Sequence, residues 1–169
     1  MKSERIFLVR HGIAEDSHPG GDEARGLTDE GRTAFRKFAR EMADELRGPN
    51  KIIGIATSPL VRAVQTAEIL AEALDIDVVR TETSLAAEVA TPKSLTALAR
   101  KLGPGWAFVG HNPSFGNTVA TWLGLDPRTV SFRKGAICAF AWSETVPHEL
   151  VFMAAPGKKV VKTVEALTS

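Results

Sequence analysis

Cysteine is almost missing from this chain. Cys138 stands alone among 169 residues, so no internal disulfide can form. It sits in the apolar stretch Ala136-Ile137-Cys138-Ala139-Phe140, which suits a small buried hydrophobe better than a nucleophile. No apolar run approaches the ~18 residues needed to span a bilayer. Charge of one sign is missing too: 21 Lys and Arg face 20 Asp and Glu, a formal net charge of +1 with no long run of either. That balance argues against a dedicated nucleic-acid surface or a polybasic membrane patch. No His, Cys, Asp or Glu cluster has metal-ligand spacing and no Gly-x-x-x-x-Gly-Lys-Ser/Thr loop occurs, so neither metal nor nucleotide cofactor is expected. Repeats, linkers and low-complexity segments are absent. Met1 to Arg5 lead straight into a strand-like run with charge close behind, unlike a signal peptide. The expectation is one soluble, cytoplasmic domain over residues 1–169, with no nucleic-acid or membrane partner.

What is present alternates between two patterns. Ile6-Phe7-Leu8-Val9 is a buried-type strand that ends on Arg10-His11-Gly12. The Gly/Pro-rich, charged stretch from Ile13 to Leu27 reads as a surface loop of the length used for lids and binding loops. Thr28 caps a helix whose stripe runs Phe35, Phe38, Ala39, Met42, Ala43, Leu46 and which stops at Gly48-Pro49. A second strand, Ile52 to Ala56, ends on Thr57-Ser58-Pro59, where Ser58 as N-cap and Pro59 at the first helical position predict a helix to about Leu74. Val78-Val79 marks a short strand, Thr81 to Thr91 a connection, and Pro92 to Leu102 a further helix closed by Gly103-Pro104-Gly105. Trp106 to Val109 is the next strand. Gly110-His111-Asn112-Pro113 follows it, with Asn112 as N-cap of a helix reaching about Leu123. Strands are expected at Ala136–Trp142 and Glu149–Ala154. The pattern predicts an α/β, three-layer single domain: a mostly parallel central sheet with helices on both faces.

Parallel strands place three polar strand ends on one edge, where ligands bind in open α/β sheets. Arg10 and Arg62, the latter one turn into its helix, can grip phosphate oxygens through their planar forks. Two helix N-termini add free N–H groups and positive dipole ends. Beside two arginines His11 should stay neutral, its second nitrogen held by an acceptor such as the carbonyl of Gly12. His11 would then attack phosphorus, water would hydrolyse the phosphohistidine, and His111 would steady the equatorial oxygens with the arginines.

These residues resemble the histidine phosphatase superfamily, the phosphoglycerate-mutase-like fold. The resemblance lies in Leu8-Val9-Arg10-His11-Gly12, in Ser58-Pro59-Leu60-Val61-Arg62-Ala63-Val64-Gln65-Thr66-Ala67 and in Gly110-His111-Asn112-Pro113. It implies that His11 is the phosphorylated nucleophile and that Arg10, Arg62 and His111 complete the pocket. The short chain is most similar to SixA-type phosphohistidine phosphatases, which share an Arg-x-Leu-Thr-x-x-Gly stretch, here Arg25 to Gly31. That implies a phosphorylated protein substrate of the histidine-containing phosphotransfer type, with a small phosphate ester as the alternative. Larger members carry an acid in a Leu-x-Glu setting. Here Leu85-Ala86-Ala87-Glu88 sets the carboxylate one residue late, in a connection too short for a capping insertion. An alkoxide leaving group needs a proton donor, worth ~10²–10⁴-fold. Imidazole, with a pKa of ~6.5, can be protonated by solvent. An open site without a placed acid therefore suits phosphohistidine. The rival on the same fold is a phosphomonoesterase using Glu88 as acid, and a third reading is a phosphate-binding module without turnover.

Gly12, Arg25, Glu88 and Asn112 are the expected substrate contacts around the four catalytic residues. Arg25 has two readings, a phosphate contact from the loop or a partner for Asp22, and Asn112 fits an N-cap as well as a contact. Trp106, Trp122 and Trp142 read as packing residues, His18 and His148 as solvent-facing, and Arg62 as a surface arginine that holds little core.

Overall fold

The computed structural model describes residues 4–145 and 148–169; Met1 to Ser3, Val146 and Pro147 lie outside it. Six strands form one sheet in the order β3-β2-β4-β1-β5-β6. They are β1 (Arg5–Arg10), β2 (Gly54–Thr57), β3 (Val79–Thr81), β4 (Trp106–Gly110), β5 (Ile137–Ala141) and β6 (Glu149–Ala154). The first four run parallel, whereas β5 is antiparallel to β1 and to β6. The helices are α1 (Asp29–Glu41), α2 (Ala43–Leu46), α3 (Val61–Leu74), α4 (Pro92–Leu102), α5 (Ser114–Leu123) and α6 (Val164–Thr168).

The alternation of side chains along a strand divides the core in two. Phe7 and Val9 of β1 pack with Phe35, Ala63, Leu70 and others from α1 and α3 on one face. Ile6 and Leu8 pack on the other with Leu95 and Leu98 of α4 and Phe115 and Trp122 of α5. A strand buried on both faces has no polar alternation, which is why β1 reads as an unbroken apolar run. Cys138 is fully buried in the second cluster. This is the three-layer α/β domain expected.

Two helix starts differ from expectation. The helix after β2 begins at Val61 rather than Pro59, with Leu60 in extended conformation at the cap position. Ser58 still donates its N–H to Val109 O at 2.9 Å, which prolongs the β2–β4 ladder and holds it as the end of the strand. After β4 the helix begins at Ser114, with Pro113 at the cap position, yet the Asn112 side chain accepts the Gly116 N–H at 3.1 Å. Asn112 therefore caps from one residue further out. The first helix is also split: α1 ends at Glu41, and α2 carries the chain to Leu46.

Thr28 caps α1 by accepting from Gly31, as its position predicts. Gly31 has a second duty. A Cβ there would run into the backbone carbonyl of Ile13, which accepts the Thr28 N–H at 3.0 Å. The missing side chain lets the loop after His11 lie flat on α1. Gly31→Ala should destabilise the fold by about 1–3 kcal/mol, the usual cost of overpacking a close contact. The thermal midpoint should fall by about 2–4 °C per kcal/mol for a chain of this size, and an unchanged midpoint would contradict that account.

His148 overturns its expected exposure. It is buried and stacked on Trp142 at 5.8 Å between ring centroids, edge-on to Trp122 at 5.0 Å. Burial lowers its proton affinity. It joins the aromatic packing at the β5–β6 end of the second core cluster, which no local pattern announces. His18 is exposed in the loop as expected.

Candidate active site

The three polar strand ends meet. Arg10 pairs in register with Gly110, and Thr57 with Val109, so the residues that follow β1, β2 and β4 emerge side by side. His11 and His111 lie with ring centroids 5.2 Å apart, and both are buried. His11 Nδ1 lies 2.7 Å from Gly12 O. Since a carbonyl only accepts, the proton sits on Nδ1, and Nε2 keeps its lone pair for an electrophile. Burial, against the Gly12 hydrogen bond and with the nearby charges of Arg62, Arg10 and Lys134, lowers the His11 pKa to about 4. At neutral pH this is a neutral imidazole held in one tautomer, with its Nε2 lone pair available.

The Gly12 carbonyl orients His11, the role expected of it, and the Gly12 N–H donates to Thr66 Oγ1 at 3.1 Å. Thr66 in turn donates to Arg62 O at 2.8 Å, tying the turn after β1 to the helix that carries Arg62. Thr66 was not singled out from sequence; it lies four residues after Arg62, one turn along the same helix face.

His111 Nε2 is 2.7 Å from Ser58 Oγ, and burial followed by the charges of His11 and Arg62 lowers its pKa to about 3. Ser58 is therefore a partner of His111 as well as the end of β2, a role its N-cap reading hid. Its hydroxyl also accepts from Leu60 N–H at 3.3 Å. Among the described residues, His111 Nδ1 and Arg10 Nε are buried without a hydrogen-bond partner. Arg10 uses Nη1 to donate to Phe132 O at 3.0 Å, and Asn112 Nδ2 donates to the same carbonyl at 3.0 Å. Two orphaned polar atoms and a pair of cations fit a tetrahedral oxyanion.

Arg62 is not a surface residue. It is 5% exposed, and its fork donates to Asp22 O at 2.9 Å and to the Asp22 carboxylate at 3.2 Å. Burial follows because α3 begins at the sheet edge and the Ile13–Leu27 loop folds back over its first turn. Arg25 takes the second of its readings: Nη1 donates to Asp22 Oδ1 at 2.7 Å. Asp22 thus bridges the two arginines, and the Arg25 hydrogen bond, ahead of the Arg62 one, holds its carboxyl below the usual range. An ionised carboxylate sits where an anionic substrate needs the Arg62 fork. Asp22→Asn should therefore tighten inhibition by inorganic phosphate or orthovanadate, by up to about fivefold given the modest strength of an exposed ion pair. Weaker or unchanged inhibition would contradict the competition.

Glu88 takes no part in this network: it is exposed, and its side chain makes no hydrogen bond or ion pair among the described residues. No group of three or more metal-ligating side chains occurs among the described residues.

Both histidines bind protons less readily folded than unfolded, about 4 and about 3 against 6.5. The stability from keeping them neutral is complete above pH 6.5 and is lost as pH falls towards 4 and below. The denaturation midpoint should fall over that window, and less steeply in His11→Ala. Equal slopes in the two proteins would show that His11 does not carry the effect.

Residues 6–86, just under half of the chain, match the model of the histidine phosphatase superfamily, branch 1, a span that holds β1 from Ile6, the loop and the whole of α3 with Arg10, His11 and Arg62. Over that span the chain is similar to the histidine phosphatase superfamily. His111 lies beyond the matched span, at the same sheet edge. No curated protein matches it in sequence. Among solved structures it is similar to the protein histidine phosphatase SixA complexed with tungstate, at 24% identity and TM-score 0.76 over 90% of this chain and 97% of that one. SixA from Agrobacterium tumefaciens is 22% identical with TM-score 0.77, covering 92% and 100%. A mycobacterial glucosyl-3-phosphoglycerate phosphatase is 19% identical with TM-score 0.64, covering 87% and 96%. These likenesses bear on the fold. No helix of the described residues is long and apolar enough to cross a membrane.

Proposed function

We propose that this protein is a phosphatase of the histidine phosphatase superfamily and that it hydrolyses phosphohistidine carried on a protein, through a phosphoryl intermediate on His11. His11 Nε2 gives its lone pair to phosphorus as the P–N bond to the substrate imidazole breaks, and that imidazole leaves with a proton taken from solvent. Water then attacks phosphorus, the bond to His11 breaks, and inorganic phosphate departs. Arg10, Arg62 and His111 hold the equatorial oxygens while charge spreads over them, the main demand of phosphoryl transfer.

The observation that carries the choice of leaving group is the state of the nearby carboxyls. A general acid must enter the reaction protonated. Asp22, the carboxyl that touches Arg62, is held ionised by Arg25 and Arg62, and Glu88 is exposed, with no hydrogen bond or ion pair among the described residues. A substrate that brings its own protonatable leaving group, such as phosphoimidazole, needs neither. The SixA likenesses agree with this reading. The similarity to a phosphatase of a sugar phosphate keeps a phosphomonoesterase with Glu88 as acid as the rival.

Purified protein should dephosphorylate a phosphohistidine protein far faster than any of a panel of sugar and nucleotide monophosphates. Efficient ester hydrolysis with no action on phosphohistidine would overturn the proposal. Loss of that ester activity in Glu88→Gln would establish the rival.

A further inference from the structure

Beside the phosphate pocket runs a groove of about 780 Å³, bounded by α1 on one side and the segment 130–135 on the other. It shares Arg10, Gly12 and Asn112 with the pocket, so whatever carries the phosphoryl group has a path into it. The floor is apolar, from Ile13, Ala34, Phe35 and Pro156, and Ile13 is 40% exposed. Arg133, Lys134 and Lys158 line it with Arg10, and no Asp or Glu does. A second depression of about 190 Å³ shares Ser131, Arg133, Ala155 and Lys158 with the first and adds Lys159, again with no acidic side chain. In a chain of net charge +1, five cations on one track with no Asp or Glu among its lining residues are a marked segregation.

The cationic segment is also fixed in place. Phe132 O accepts from Arg10 and Asn112, Gly135 N donates to the carbonyls of Arg10 and His11 at 3.0 and 2.9 Å, and Arg10 N donates to Ala136 O at 3.1 Å. The residues between these anchors, Arg133 and Lys134, are both exposed. Lys134 lies close enough to weigh on the charge of His11. The cations are thus held at a set distance from the nucleophile by backbone hydrogen bonds.

Resting on the phosphatase reading above, we infer that the groove between α1 and the segment 130–135 receives an acidic polypeptide stretch flanking the phosphorylated residue of a protein substrate. The track extends past the pocket by two joined depressions, which suits a chain more than a compact metabolite. Its apolar floor with charged borders is the make-up of a protein interface. Charges at such a rim act mainly on encounter rate and partner choice, and their effect weakens with salt.

The test uses synthetic peptides with one phosphohistidine flanked by glutamates or by lysines, and the same two flanks around phosphoserine. Wild-type protein should favour the Glu-flanked phosphohistidine peptide by about tenfold or more in kcat/KM at low salt, the steering that complementary charge provides. The preference should shrink as salt rises. Arg133→Glu with Lys158→Glu should reverse the order, whereas a merely damaged fold would slow both peptides alike. Equal rates for the two flanks in the wild type, or a preference that survives the double reversal, would overturn the inference. So would equal peptides beside a small phosphate ester rich in carboxylates that alone loses its advantage in the double variant. If only the phosphoserine peptides turn over, with the Glu flank preferred, the docking site stands and the phosphohistidine reading falls. If no peptide turns over, anisotropy of labelled peptides with His11→Ala decides. Tighter binding of the Glu-flanked peptide supports the site, and no difference between the flanks overturns it.

Discussion

His11→Ala should lose turnover of phosphohistidine by about 10⁴-fold or more, the scale on which removal of a covalent nucleophile is felt in other enzymes. The expected loss is this large because nothing at the site replaces it. His111 is 5.2 Å away between ring centres, but its Nε2 is engaged by Ser58. The variant should also fail to acquire an acid-labile, base-stable phosphoryl label that the wild type takes up from substrate. The fold should tolerate it at neutral pH, since the ring's one side-chain hydrogen bond goes to its neighbour Gly12. Wild-type label that persists in His11→Ala would move the nucleophile elsewhere.

Arg62→Ala should cost about 10³–10⁵-fold in kcat/KM, the range found for arginines that neutralise a transferring phosphoryl group. Its burial gives that charge a low-dielectric setting, where a contact to an anion counts for more than at a surface. Stability should change by about 1 kcal/mol or less, because the fork meets only the loop residue Asp22 rather than a partner in the core. Arg62→Lys should recover little, since a point charge cannot reproduce the planar, two-pronged grip. A variant that unfolds with no separable kinetic defect would make Arg62 a structural residue.

The parts of the site legible in sequence share one property: their meaning is local. Arg10-His11-Gly12 and Gly110-His111 each stand at the end of an apolar run, and the fold needs only parallel pairing of β1, β2 and β4 to bring them together. What escaped depends on contacts between distant segments. Asp22 reaches Arg62 across 40 positions, and neither residue carries a mark of the pairing. Ser58 looked like a helix cap because serine before proline usually is one; His111 and the β2–β4 ladder claim it instead. His148 looked exposed because its burial comes from aromatic residues on β5 and α5 and next to β5. Helix starts shifted by one or two residues for the same reason, a tertiary demand at the strand end.

The carbonyl of Phe132, gripped by Arg10 and Asn112, has a consequence for how such a protein can change. Every amino acid supplies that carbonyl, so the anchor sets no demand on the identity of its residue beyond the fit of a buried side chain. The side chains of the exposed neighbours Arg133 and Lys134 take no part in the hydrogen bonds that hold Arg10. On the proposed function, partner preference is therefore adjustable at Arg133 without moving the anchor of Arg10, whereas a change at Lys134 also alters the charge felt by His11.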